Sequence, residues 1–137
     1  MSEFVDTNIF VRLLTRDDLD KAERCLALFE RANQGELQLV TSEAVIAETV
    51  YVLATPGIYG TPREAISISL STLIAQSGLR LEHREAILEA LELYGSTRLH
   101  FIDCLCVAHT RREGPPQSVY SYDRELDRIP GIQRREP

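Results

Sequence analysis

Four acids in this 137-residue chain stand where an acid is out of place. Asp6 interrupts "FVDTNIFVRLL", between two stretches that are otherwise apolar. Glu48 is the only ionisable acid in "AVIAETVYVLA". Asp103 follows Phe101-Ile102 at the start of a helical segment, and Asp123 comes directly after the strand-like "SVYS" at 118–121. Each has a plain structural explanation. Asp is a common helix cap, and Glu48 is satisfied by an arginine or by a narrow solvent-facing strip. The other reading brings them together. Two like charges 4 Å apart repel by about 4 kcal/mol at an effective dielectric near 20, so a cluster needs protons or a cation. Oxygen donors without Cys or His favour hard ions, Mg²⁺ or Mn²⁺. Such ions suit phosphoryl chemistry, activating a water and steadying a leaving oxygen.

The elements that must position these acids can be read from the spacing. Phe4-Val5 reads as a short buried strand running into Asp6. A helix follows over about Ile9–Leu14, with Thr7 and Asn8 as its cap and Asp6 left for chemistry. A second helix follows Asp20, with Ala22, Leu26 and Phe29 on one stripe and Gly35 as its stop. Residues 37–40 suggest a strand, and Ser42 caps a helix reaching about Ala54. "TPRE" at 61–64 has the form of a capping box, Thr61 as cap and Pro62 in the first position. That helix runs to about Gln76, with Gly78 ending it, and another spans about His83–Tyr94 with Ile87, Leu88 and Leu91 inward. Residues 100–113 continue helically, Ile102, Leu105 and Ala108 at core spacing, until Gly114-Pro115-Pro116. After the strand 118–121 come a loop or short turn and an edge strand near Ile132. Strands separated by helices imply an α/β fold, a three-layer α/β/α sandwich with a central, mostly parallel sheet and a single domain over 1–137. In such sheets ligands bind at the carboxyl ends of the strands, which would let Asp6 and Asp123 face one crevice.

Composition is that of an ordinary globular protein, 44% hydrophobic and 26% charged. No apolar run reaches the roughly 20 residues of a membrane span, and no basic-then-apolar start marks a secretory signal. Three cysteines, Cys25, Cys104 and Cys106, suit a reducing compartment better than a disulfide framework. The expected location is the cytoplasm. The net charge of −6 argues against nucleic acid, but Lys21 is the only lysine among 15 basic residues. Arginine grips phosphate through paired hydrogen bonds, although a genome rich in G and C gives the same bias.

Taken together, "FVDTNIFVRLL", "TSEAVIAETVYVL", "LHFIDCLCVAH" and "VYSYDRELD" resemble, in order and rough spacing, the PIN-domain family. They look most like the VapC-type toxins of toxin–antitoxin pairs. The resemblance covers essentially the whole chain. It implies an α/β/α sandwich and a Mg²⁺- or Mn²⁺-dependent ribonuclease site whose metal ligands fall on Asp6, Glu48, Asp103 and Asp123. It also implies an RNA substrate, a small cognate antitoxin and a homodimer. Thr7, Asn8 and Ser121 match the small polar residues that accompany the acids, and would orient them. Asp127 is a further, peripheral acid. Arg12, Arg16, Arg111, Arg112, Arg124 and Arg128 lie near the acidic motifs in sequence and are candidates for guiding the phosphate backbone. "DCLC" departs from the family, which more often has small or aliphatic residues there; cysteine packs as a small hydrophobe.

His83, His100 and His109 show no ligand spacing with each other or with the cysteines, so zinc is not expected. Tyr51 and Tyr94 are core-spaced. Two other functions stay open. One is a different Mg²⁺-dependent phosphohydrolase with an early Asp nucleophile, which usually has a second acid where Asn8 stands. The other is a catalytically silent binding or regulatory domain on the same fold.

Overall fold

A computed structural model describes residues 2–137. The elements run β1 (Ser2–Phe4), α1 (Thr7–Thr15), α2 (Leu19–Asn33), β2 (Gln38–Thr41), α3 (Glu43–Ala54), α4 (Arg63–Ile74), β3 (Leu79–Leu81), α5 (Arg84–Ser96), α6 (Phe101–Arg112), β4 (Ser118–Tyr120), a short 3-10 turn (Arg124–Arg128) and β5 (Gln133–Arg135). The fold is the expected α/β sandwich, with every strand pairing parallel.

Strand β2 lies between β1 and β3, in register Phe4 with Val40 and Val40 with Arg80. The ladder extends one bond past β1, because the Val5 N–H donates to the Val40 carbonyl at 2.8 Å. The buried Thr41 hydroxyl donates to the Val5 carbonyl at 2.9 Å, fixing the backbone one residue before Asp6. The core is aliphatic, built on Leu39, Ile46, Ile66, Leu70, Ile74, Leu79, Ile87 and Leu91, with Phe10 edge-on to Phe29.

Several expectations are corrected. The first strand is not buried: Ser2, Glu3 and Phe4 are all exposed, and only Val5 turns inward. It is an edge strand. The strand 79–81 was not read from the sequence at all; three residues, Leu-Arg-Leu, are too few for alternation to stand out. The strand 118–120 does not join the sheet of β1. Its ladder bonds go to β5, Ser118 against Gln133 and Tyr120 against Arg135, so the parallel strands form a three-stranded and a separate two-stranded sheet.

Helix faces also shifted. Leu26, Tyr51 and Ile102 are exposed, and their places inside are taken by Cys25, Val50 and Phe101. Each is a neighbour in sequence, about 100° around the helix, which is the error expected where apolar residues lie on more than one face. The α4 cap is Pro62, with no side-chain bond, rather than Thr61. Helix α2 begins from Asp18, whose carboxylate accepts the Lys21 N–H. The Ser42 cap on α3 is as expected, with Ser42 Oγ accepting the Val45 N–H at 3.3 Å.

Candidate active site

Asp6 leaves the sheet at the end of β1 and is itself the N-cap of α1, its Oδ1 accepting the Asn8 N–H at 3.0 Å. This reverses the expected division of labour, in which Thr7 and Asn8 would cap. The backbone reason is that Asp6 is extended (φ −95°, ψ 179°), the geometry of a capping residue, while Thr7 is already helical. Thr7 is thereby released. Its hydroxyl, at the buried start of α1, donates to Glu48 Oε2 on α3 at 2.9 Å.

Glu48 is exposed rather than enclosed, because α3 buries only one face, Ile46, Thr49, Val50 and Leu53. Asp6, Thr7, Asn8, Val11 and Arg12 from the start of α1, Val45, Glu48 and Val52 from α3, and Ile58 and Tyr59 from the loop after it line a cavity of about 330 Å³. A larger cavity of about 640 Å³, at the ends of β2 and β3, contains none of the four acids.

Asp103 and Asp123 form the second pair. Asp103 sits in the first turn of α6, half-buried. Burial and the neighbouring Asp123 carboxylate push its carboxyl above the usual range, while His100 partly offsets them. Asp123 is set by its own turn: its N–H donates to Ser121 Oγ, and its Oδ1 accepts the Glu125 N–H, both at 3.0 Å. Arg134 on β5 donates to the Ser121 carbonyl at 2.9 Å, and Ser121 N–H to the Arg135 carbonyl at 2.9 Å, so β5 anchors this turn. Ser121 thus supports Asp123.

The four acids therefore stand as two pairs, and among the described residues no three His, Cys, Asp or Glu side chains converge closely enough to hold a metal ion. None of the ion pairs among the described residues uses Asp6, Glu48, Asp103 or Asp123, though other acids throughout the chain are paired. Oxygen-only donors, unpaired with arginine and crowded at Asp103–Asp123, fit a hard divalent cation.

Of the six candidate arginines, Arg12 is held by Asp17, Arg111 and Arg112 by Glu89, and Arg128 by Glu125. Arg16 and Arg124 are exposed and in no ion pair among the described residues. Asp127 is bound to Arg134, a structural contact rather than a peripheral ligand.

Sequence spacing missed two clusters. His109 Nε2 lies 2.7 Å from Glu43 Oε1, with the His83 ring edge-on to His109 at 5.3 Å. Arg63 lies over the Tyr94 ring and donates to the Tyr94 carbonyl at 2.9 Å and to the Leu99 carbonyl. Both join residues far apart in the chain, and no local pattern announces them.

The PIN domain family model matches residues 4–132, from the strand before Asp6 to beyond Asp123. The chain belongs to the PIN family. It is also 28% identical over 127 residues to a VapC ribonuclease of Aquifex aeolicus (strain VF5), spanning 93% of this chain and 91% of that protein.

Proposed function

We propose that this PIN domain is a divalent-metal-dependent endoribonuclease and the toxin of a type II toxin–antitoxin pair, acting as one unit over residues 1–137. The observation that carries the reading is the Asp103–Asp123 pair, two carboxylates close enough that Asp123 pushes the Asp103 carboxyl up, neither of them in an ion pair among the described residues. The VapC likeness supports the substrate class. Asp6, Glu48, Asp103 and Asp123 would hold Mg²⁺ or Mn²⁺, which when bound would activate a water and neutralise charge on the cleaved phosphodiester.

The chain's own groups do the placing. Thr7 holds one Glu48 oxygen and leaves the other to face the cavity. The Asn8 N–H holds one Asp6 oxygen in the same way. Ser121 and the Glu125 N–H fix the Asp123 turn, and Asp123 keeps Asp103 under a repulsion that a cation relieves. Of the six candidate arginines, Arg16 and Arg124 are the two in no ion pair among the described residues and so available to phosphate. A small antitoxin, a homodimer and a cytoplasmic location complete the proposal; among the described residues no helix is long and apolar enough to cross a membrane.

Asp6→Asn and Asp103→Asn test it. Both are expected to lose RNA cleavage and growth inhibition, and only the wild type should melt higher in Mg²⁺ or Mn²⁺. Full activity in either variant, or undiminished cleavage in excess chelator, overturns the reading. A protein with no metal response and no cleavage would be a binding domain.

A further inference from the structure

We propose that Ile58 and Tyr59 form a base-reading subsite, seating the nucleobase next to the phosphodiester that the carboxylates cleave. The inference rests on the ribonuclease reading and adds the residues that select the cut. The cavity of about 330 Å³ lies at the small end of ligand sites, roughly 300–1,000 Å³, and suits a single nucleotide. Its lining supplies groups for both halves of a nucleotide. Asp6, Asn8, Arg12 and Glu48 present charge and hydrogen bonds, as phosphate chemistry and ribose hydroxyls require. Val52, Ile58 and Tyr59, in the same lining, supply apolar surface, as the face of a base requires.

Ile58 has no packing role that accounts for it. It is 65% exposed at the cavity edge and stands outside the hydrophobic core. Its loop is nonetheless tightly built. The N–H groups of Ile58, Tyr59 and Gly60 all donate to the Thr55 carbonyl, at 3.3, 3.3 and 3.0 Å. Gly57 and Gly60 take the positive φ values, 84° and 56°, that so tight a turn needs. The Tyr59 hydroxyl then donates to Asp17 Oδ2 at 2.6 Å, and Arg12 Nη1 donates to the same oxygen at 2.7 Å. One carboxylate thus fixes an aromatic ring and a guanidinium of the same cavity lining. A wall held in place before binding loses little freedom when a ligand arrives, and bases stack on such rings with preferences set by stacking strength.

The test is a comparison of two oligoribonucleotides. Wild-type protein first cleaves a random RNA pool, which locates the preferred site; an oligonucleotide carrying that site is then made intact and with the flanking nucleotide abasic. The wild type is expected to cleave the abasic form roughly tenfold less efficiently by kcat/KM. Ile58→Ala and Tyr59→Ala should cleave the two forms within about twofold of each other, whereas Tyr59→Phe, which keeps the ring, should still discriminate. Because the readout is a ratio within each variant, partial loss of folded protein cancels. Should Tyr59→Ala be unfolded by melting, Ile58→Thr at the exposed position carries the comparison. Undiminished discrimination in the Ile58 variants, or none in the wild type, overturns the subsite and leaves the nuclease reading intact. A wild type that cleaves no RNA fails earlier, at the nuclease reading, and takes the subsite with it.

Discussion

At the scale of single residues, the division between Asp6 and Thr7 is the most instructive. A cap at Asp6 leaves Thr7 inside the helix with its hydroxyl aimed at Glu48, so one local choice of backbone supplies both an acid and its neighbour's support. Thr7→Val is expected to lower kcat by roughly 10–100-fold with KM little changed, as for lost contacts to metal ligands. Thr7→Ser, keeping the hydroxyl, should recover most of the rate. Equal rates for the two variants would reduce Thr7 to packing. Asp17 gives a second prediction. The Tyr59 hydroxyl, then, against burial, the Arg12 and Thr15 contacts, hold its carboxyl at about 2 instead of 3.8. A lowered folded pKa contributes stability that is complete above the ordinary pKa and is lost as pH falls through the folded one. Wild type should therefore melt above Asp17→Asn by a constant margin from about pH 5 upward, a margin that closes toward pH 2. A gap independent of pH would contradict the assignment.

At the scale of elements, Asp6 and Glu48 stand out in the sequence because each interrupts an apolar segment, and the cap at Ser42 and the stop at Gly35 because their residue types favour such positions. What escaped was whatever depends on phase or on distant partners. The residues Leu26, Tyr51 and Ile102 sit one step around their helices from the true inner face. Glu48 looked enclosed for the same reason: a helix apolar on several faces does not say which one meets the sheet. The strand Leu79–Leu81 is defined by β2 beside it more than by its own residues. Its entry turn has a sharp requirement, however. A Cβ on Gly78 would meet the Ala32 carbonyl carbon at 2.5 Å and the Asn33 nitrogen at 2.6 Å, both backbone. The Gly78 N–H also donates to Asn33 Oδ1 at 2.9 Å, and Asn33 Nδ2 to Gln76 Oε1 at 2.7 Å. Gly78→Ala should cost about 1–3 kcal/mol or more by forcing α2 from β3. Chemical denaturation would register this as a lower midpoint; an unchanged midpoint would show that the turn yields freely.

At the scale of the molecule, charge is sorted. Helices α5 and α6 are joined by Glu89, which accepts from Arg111 at 2.7 Å and Arg112 at 2.8 Å. Burial pushes the Glu89 carboxyl up, but the two arginines outweigh it and hold it below the usual range. Two arginines that looked available from sequence thus join helices. No count of residue types could have separated these roles.

The pairing of β4 with β5 has a consequence for synthesis. Asp123 depends on a turn whose anchors, Arg134 and Arg135, belong to β5, whereas every residue that lines the cavity of Asp6 and Glu48 precedes Gly60. A chain emerging from the ribosome therefore fixes Asp123 only when residues 133–135 are out. A nuclease built in this order stays silent beside the message and ribosome that are making it. Protein truncated after residue 130, and so without β5, should leave RNA intact where the chain that includes β5 cuts; cleavage by the truncated form would show that β5 is dispensable.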